Sequence, residues 1–476
     1  MADDHRVVAQ CVEPLAVTRP QPLWSEQLPD DWWAALDRAL LRLASEAPMA
    51  MGAVRAIGLS GQMHGAVLLD RDDAVLRPAI LWNDGRSSAQ CNTLLQRLPA
   101  LPAIAGNLPM PGFTSPKLLW VREREPDVFR RLRRVLLPKD WLRLQLTGDA
   151  VTDCSDASGT LWLDVAQRRW SEPLLLAGGL TLEHMPTLVE GSAPAGTLRP
   201  RWTQRWGLPP NVVVAGGAGD NAASAVGMGA IEPGDGFVSL GTSGVIFLCT
   251  DRFLPHPQAA VHAFCHALPA RWHQMSVMLS AASALHWAVR LTGRSDEAAL
   301  LAEVAALPAS AQAVAPLCLP YLSGERTPHN DAQAQGVLFG LTHEHGAASL
   351  GYAVMEGVAF GLLDGWSALD GTQRASAPSL SLVGGGARSA WWAQLLASAL
   401  GLPLVLREAA DAGAALGAAR LGWLAHGGPL TTVCRTQAER RRFEPDAAQR
   451  DLLLARYRRF KALYPVLRGS FTPVSG

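Results

Sequence analysis

The chain has 476 residues, 49% of them hydrophobic and 18% charged, enough for two or three domains that each bury a core. Lysine plus arginine and aspartate plus glutamate both number 42, so the formal charge is zero and no basic stripe exists to neutralise a nucleic-acid backbone. The hydrophobic fraction excludes a disordered chain. No apolar run of about 18 residues lacks a charge or proline, so no membrane-spanning helix is expected. Met1-Ala2-Asp3-Asp4-His5-Arg6 lacks the basic and apolar regions of a signal peptide. Seven cysteines scattered singly from Cys11 to Cys434 fit reduced thiols. The expectation is a cytoplasmic globular enzyme with no nucleic-acid or membrane partner.

Along the chain, Asp30 is expected to cap a helix that carries Trp32, Trp33, Leu36, Leu40 and Leu43 on one face. Strands follow at 54–59 and 66–69, and 211–215 reads as a buried strand by its valines. Residues 237–240 and 245–248 form a hairpin around Gly241-Thr242-Ser243-Gly244. Helices are expected at 281–291 and 347–363, then a strand at 379–383 that ends in three glycines. Further helices cover 389–400, 412–424 and 447–463. Strands alternating with helices make an α/β protein. The turn from Gly229 to Gly236, rich in glycine and holding Pro233, divides it into domains 1–230 and 231–476.

Four segments carry chemistry. Gly216-Gly217-Ala218-Gly219-Asp220-Asn221 follows the valine-rich strand, so Asp220 sits where a strand ends and a helix begins. A carboxylate there can take a proton from a substrate hydroxyl, or simply cap the helix. Gly241 to Gly244 offers backbone N–H groups and two hydroxyls to phosphate oxygens, or serves as an ordinary turn. Gly384-Gly385-Gly386-Ala387-Arg388-Ser389 can let a flat ring lie on bare backbone, and it does not match the dinucleotide fingerprint. Gly61-Gln62-Met63-His64-Gly65 supplies an amide and an imidazole suited to a polyol, though a lone histidine is usually structural. His262, Cys265, His266 and His273 do not fit a zinc spacing. Only Lys117, Lys139 and Lys461 are lysines among 42 basic residues, a hint that a compact ammonium is needed at those places.

In this order the segments resemble the FGGY carbohydrate kinases, members of the actin/hexokinase-type ATPases. The resemblance also takes in Leu81-Trp82-Asn83-Asp84-Gly85-Arg86, the stretch from Pro111 to Trp120, Leu137-Pro138-Lys139-Asp140-Trp141, Asp153 to Thr160, Leu322 to His329 and Ala415 to Ala419. It covers nearly the whole chain. Gln-Met-His-Gly is the form of the fourth segment in xylulokinase-like members. The resemblance implies two ribonuclease H-like domains with the active site in the cleft between them. It implies ATP with Mg2+, and D-xylulose phosphorylated at its 5-hydroxyl in pentose catabolism. Asp220 would be the general base, and Met63, His64 and Asn221 would line the sugar site with Trp82 and Asp84. Gly241 and Thr242 would hold phosphates, while Gly385, Gly386, Arg388 and Ser389 would face adenosine. A homodimer is what family members often form.

One departure stands out. Family members begin with a strand ending in an Asp-x-Gly-Thr turn, then a second strand. This chain opens at a segment similar to their third, Arg6-Val7-Val8-Ala9-Gln10. Roughly 15–20 residues are expected to be absent, and with them a phosphate turn and an aspartate that positions magnesium, so no metal ligand is assigned. Alternatives are a kinase for another pentulose or polyol, or a catalytically impaired sugar-binding relative.

Overall fold

The computed structural model describes residues 1–408 and 413–471. Its first long helix, α1 (Pro29–Glu46), turns Trp32 and Ala35 inward. Pro29 occupies the first helical position and Leu28 the cap, because proline gives up an N–H that would be unpaired there anyway. Asp30 therefore lies in the first turn, where its charge suits the helix dipole, and is not the cap that the sequence suggests.

The expected strand at 54–59 is two short pieces, β1 (Ala56–Ile57) and β2 (Ser60–Gly61). Val67–Leu69 follows and pairs antiparallel with Arg134–Leu136. After helix α2 (Pro138–Thr147) come β3 (Pro194–Thr197), β4 (Val213–Ala215) and β5 (Ala218–Gly219). β4 lies between β3 and β1, antiparallel to the first and parallel to the second. Beyond Gly216-Gly217 the same parallel pairing resumes, with Ala218 opposite Ser60 and Gly219 opposite Gly61. That register decides the site, because the chain leaves both strands at the same edge. One strand runs into Gln62-Met63-His64, the other into helix α3 (Asp220–Met228).

The second half holds a seven-stranded mixed sheet. Its strands are β6 (Gly236–Leu240), β7 (Gly244–Thr250), β8 (His262–Cys265), β9 (Trp272–Met278), β10 (Leu380–Val383), β11 (Leu404–Arg407) and β12 (Glu439–Phe443), in the order β8-β9-β7-β6-β10-β11-β12. The hairpin β6–β7 forms as expected, in register from Gly236–Leu248 to Leu240–Gly244. Helices α4 (Ala282–Thr292), α5 (Ala347–Ala368), α6 (Ala390–Leu400), α7 (Gly413–Ala425) and α8 (Ala447–Leu467) complete the chain. Ala412, expected to begin α7, lies outside the described residues.

Helix α7 packs on the first half rather than on its own sheet. A β-carbon on Gly417 would stand 1.7 Å from the Ala223 carbonyl oxygen of α3, and one on Gly58 would stand 1.6 Å from the Ala418 carbonyl oxygen. Only glycine permits these backbones to come so close. Among the described residues no helix is long and apolar enough to cross a membrane, and all seven cysteines are free thiols.

Candidate active site

Asp220 begins α3, with Gly219 at the cap. Its Oδ1 accepts the backbone N–H of Asn221 at 2.8 Å and the Asn221 side-chain amide at 3.0 Å. Both bonds fall on one oxygen, which leaves Oδ2 for a substrate proton. Burial pushes the carboxyl pKa up, and the Asn221 bonds pull partly against it. A raised but still ionisable carboxylate is what proton abstraction near neutrality requires.

Met63 and His64 emerge opposite, from the end of β2. Met63 is packed so tightly on the Gly219 backbone that a β-carbon there would lie 2.8 Å from its Cγ. His64 has φ of +68°, a strained backbone held by its surroundings. Its carbonyl accepts the Lys117 ammonium at 2.9 Å and the Thr114 hydroxyl at 3.2 Å. Its Nδ1 lies 2.7 Å from the Gly159 carbonyl oxygen. A carbonyl only accepts, so Nδ1 carries the proton and Nε2 is an acceptor. Burial, and then the nearby Lys117 charge, depress the imidazole pKa to about 3, which fixes it as neutral. A neutral imidazole with a free acceptor nitrogen suits a sugar hydroxyl.

Asp84 and Trp82 do not join this group. Asp84 Oδ1 accepts the Arg86 backbone N–H and Nε, while Oδ2 accepts the Ser25 N–H at 2.6 Å and Arg86 Nη2 at 2.7 Å. All its acceptor positions are used, so the expectation of a sugar contact is corrected to that of a loop fastener. Trp82 is 56% exposed and reaches the site only indirectly, its carbonyl oxygen lying against Gly112, next to Phe113.

The opposite wall draws on both halves. Phe113 rests 4.5 Å from the His64 ring and 5.7 Å from His262, and Phe264 stacks on His262. His262 Nδ1 donates to Asn107 Oδ1 at 2.8 Å, so its Nε2 is likewise an acceptor. Arg326 adds positive charge near both imidazoles and depresses their pKa values further. The signal for it lay in the Leu322 to His329 segment, which holds Glu325 and Arg326 and entered only as part of the family resemblance.

The glycine segments meet at the end of β6. Ser239 pairs with Val383 across the parallel β6–β10 ladder, which stacks the Gly384–Gly386 turn on the hairpin. A β-carbon on Gly386 would strike Leu240, whereas one on Gly385 would meet open space. Thr242 is exposed at the hairpin tip, with its carbonyl accepting the N–H of Ala281 at 2.9 Å. Arg388 is exposed, and the Ser389 hydroxyl caps α6 by accepting the Trp392 N–H at 3.2 Å. A separate cavity of about 300 Å³, lined by Trp32, Leu36, Gln62 and Lys139 among others, lies wholly in the first half. It touches Ser60 and Gly61 of β2, but not Met63, His64 or Asp220.

Two sequence-family models match this chain. Residues 1–227 match the N-terminal domain of the FGGY family of carbohydrate kinases, and residues 236–426 match its C-terminal domain. The chain belongs to that family. Among relatives of this FGGY kinase, the xylulose kinase of Escherichia coli (strain K12) is 53% identical over 423 residues, 89% of this chain and 86% of that protein. The xylulose kinase of Klebsiella pneumoniae is 50% identical over 97% of this chain and 96% of its own. The crystal structure of a "xyloylose kinase" from Brucella ovis superposes with a TM-score of 0.92 at 50% identity, covering 96% of this chain and 93% of that one. The fold is accordingly the two-domain carbohydrate-kinase fold.

Proposed function

We propose that this FGGY kinase transfers the γ-phosphoryl group of ATP to the 5-hydroxyl of D-xylulose. The observation that carries the reading is the β2–β5 register, which sets Met63 against Gly219, directly before an Asp220 with one oxygen fixed and the other open. The xylulose kinases at 50–53% identity support the choice of sugar.

In this mechanism Asp220 Oδ2 takes the hydroxyl proton as the sugar oxygen forms its bond to the γ-phosphorus. The bond from that phosphorus to the β–γ bridging oxygen breaks, and ADP leaves with the electron pair. Met63 and Asn221 shape the sugar site, and His64 Nε2 accepts from another sugar hydroxyl. Gly241 and Thr242 hold phosphates, while Gly385, Gly386, Arg388 and Ser389 face the adenosine. Among the described residues no three histidine, cysteine or acidic side chains gather into a metal cage. Mg2+ would enter with the nucleotide, held by its phosphates and by water, and would neutralise phosphate charge; no side chain of this chain is assigned to it. An ATP-consuming enzyme with seven free thiols fits the cytoplasm, and a homodimer is part of the same reading.

Asp220→Asn tests the reading. Loss of a general base costs about 10²–10⁴ in rate, so ADP release driven by D-xylulose is expected to fall that far while calorimetric sugar affinity holds. Near-normal turnover would remove Asp220 from the chemistry. A panel of other pentuloses and polyols, turned over less well than D-xylulose, fixes the sugar.

A further inference from the structure

The turn that delivers Asp220, Gly216-Gly217-Ala218-Gly219, has almost no side chains with which to hold itself. Backbone bonds to Ala193, Gly191 and Leu59 hold its first three residues, and buried side chains beneath it grip both of its ends. Arg143 Nη2 donates to the Gly216 carbonyl at one end. At the other end the Gly219 N–H, immediately before Asp220, donates to Ser155 Oγ at 3.3 Å. That hydroxyl is oriented in turn, because it donates to Asp153 Oδ2, which also accepts the Ser155 N–H at 2.8 Å. Asp153 Oδ1 lies 2.7 Å from the Lys139 ammonium. Lys139 also pairs with Asp140 at 2.6 Å and Asp156 at 3.2 Å, and Arg143 Nη1 donates to Asp140 at 2.7 Å. Every one of these charged side chains is fully buried.

Buried ion clusters are poor stabilisers compared with apolar packing, so stability alone does not account for five buried ionisable side chains here. Placement does. A misplacement of about 1 Å in a catalytic group can cost about 10²-fold in rate, and a glycine-rich turn is prone to such drift. We propose that Ser155, locked by Asp153 and Lys139, is a positioning residue for Asp220. It acts through the Gly219 amide and does not touch substrate. The proposal rests on Asp220 being the base.

The test compares Ser155→Ala, Ser155→Cys and Asp220→Asn, alone and in combination. Ser155→Ala is expected to lower kcat about tenfold or more while the KM for D-xylulose and the calorimetric affinity for ADP stay within about twofold. The Cys variant, whose thiol is a weak donor and acceptor, should fall between Ala and Ser. In the Asp220→Asn background Ser155→Ala should cost nothing further, since both act through one group. An unchanged kcat in Ser155→Ala overturns the proposal, as does a fall in kcat matched by an equal fall in ADP affinity and melting temperature. A full additional loss on top of Asp220→Asn overturns it too. If instead Asp220→Asn alone keeps its turnover, the base assignment itself is wrong, whatever Ser155 does.

Discussion

The two halves of the molecule are held together by different means. In the second half β7 and β9 pair over seven residues, and a continuous apolar core runs from Val238 through Phe360 and Leu396 to Tyr464. In the first half β1 and β4 pair over two residues, and the apolar residues are divided among several smaller clusters. Buried polar fastenings stand in for the missing ladder there: Lys139 among three aspartates, Asp84 on Arg86, Lys117 on the His64 carbonyl. Nucleotide candidates lie on the apolar half and sugar candidates on the polar one. A phosphate cradle needs only rigid backbone, whereas a sugar site needs side chains aimed one by one. Hydrogen bonds aim side chains where apolar packing, which has no direction, does not.

The largest expected effect comes from removing the polar fastening. Lys139→Met leaves Asp153 and Asp156 without their cation, while Asp140 keeps Arg143, and stripping one partner from a buried ionic group costs about 3–5 kcal/mol. Leu396→Ala, deep in the second half, is expected to cost about 2–5 kcal/mol by opening a cavity. Denaturant titration of both variants measures this. If Lys139→Met loses less than about 1 kcal/mol, the first half does not depend on its buried charges and the contrast fails.

An intermediate effect concerns pH at the seam between the halves. His266 is buried in β8's extension, with the Leu268 N–H donating to its Nδ1 at 3.2 Å and its Nε2 facing the Ala230 carbonyl at 3.3 Å. Burial depresses its pKa to about 3, against about 6.5 in the unfolded chain. The unfolded state therefore binds the proton first, so this contribution is complete above pH 6.5 and drains away as pH falls toward 3. One such group costs about 1.4 kcal/mol between pH 7.5 and 5.5. His266→Gln should accordingly lose less melting temperature over that interval than the parent. Equal losses would mean that His266 is not held neutral.

The smallest effect sharpens the nucleotide side. Gly385 faces open space, whereas Gly384 has φ of +94° and a β-carbon on it would lie 2.7 Å from Leu240 backbone. Gly385→Ala should leave the melting temperature unchanged within error yet weaken ADP binding severalfold, and Gly384→Ala should lower both. Unaltered ADP affinity in Gly385→Ala would move the adenosine off this turn.

Much of this arrangement was legible in the sequence because it is local. The β6–β7 hairpin, the Gly384–Gly386 turn and the strand before Asp220 each declare themselves within a dozen residues. The scarcity of lysine was informative as well, since Lys117 and Lys139 both turn out to be buried, one on the His64 carbonyl and the other among aspartates. What stayed hidden depended on pairing across distance. Asp84 looked like a sugar ligand until Ser25 and Arg86 filled its oxygens. Asp153 and Ser155 stood in a recognisable motif, but their grip on Gly219 requires a fold that joins residues 64 positions apart. His262 and Arg326 reach His64 only because the halves face each other, and no periodicity within one strand records that.

Helix α7 has a consequence for how the chain is made. Its glycines lock against Gly58, Ala223 and Gly227, so the sheet built early in synthesis waits for a cover that is translated hundreds of residues later. Contacts of such long sequence separation form slowly, and a nascent first half leaves the ribosome with α3 and β1 bare on one side. Until residues 413–425 emerge, that face is exposed apolar surface of the kind that chaperones bind and that aggregates form from. Release of the chain, rather than completion of either half, is then the moment at which Asp220 acquires a settled place.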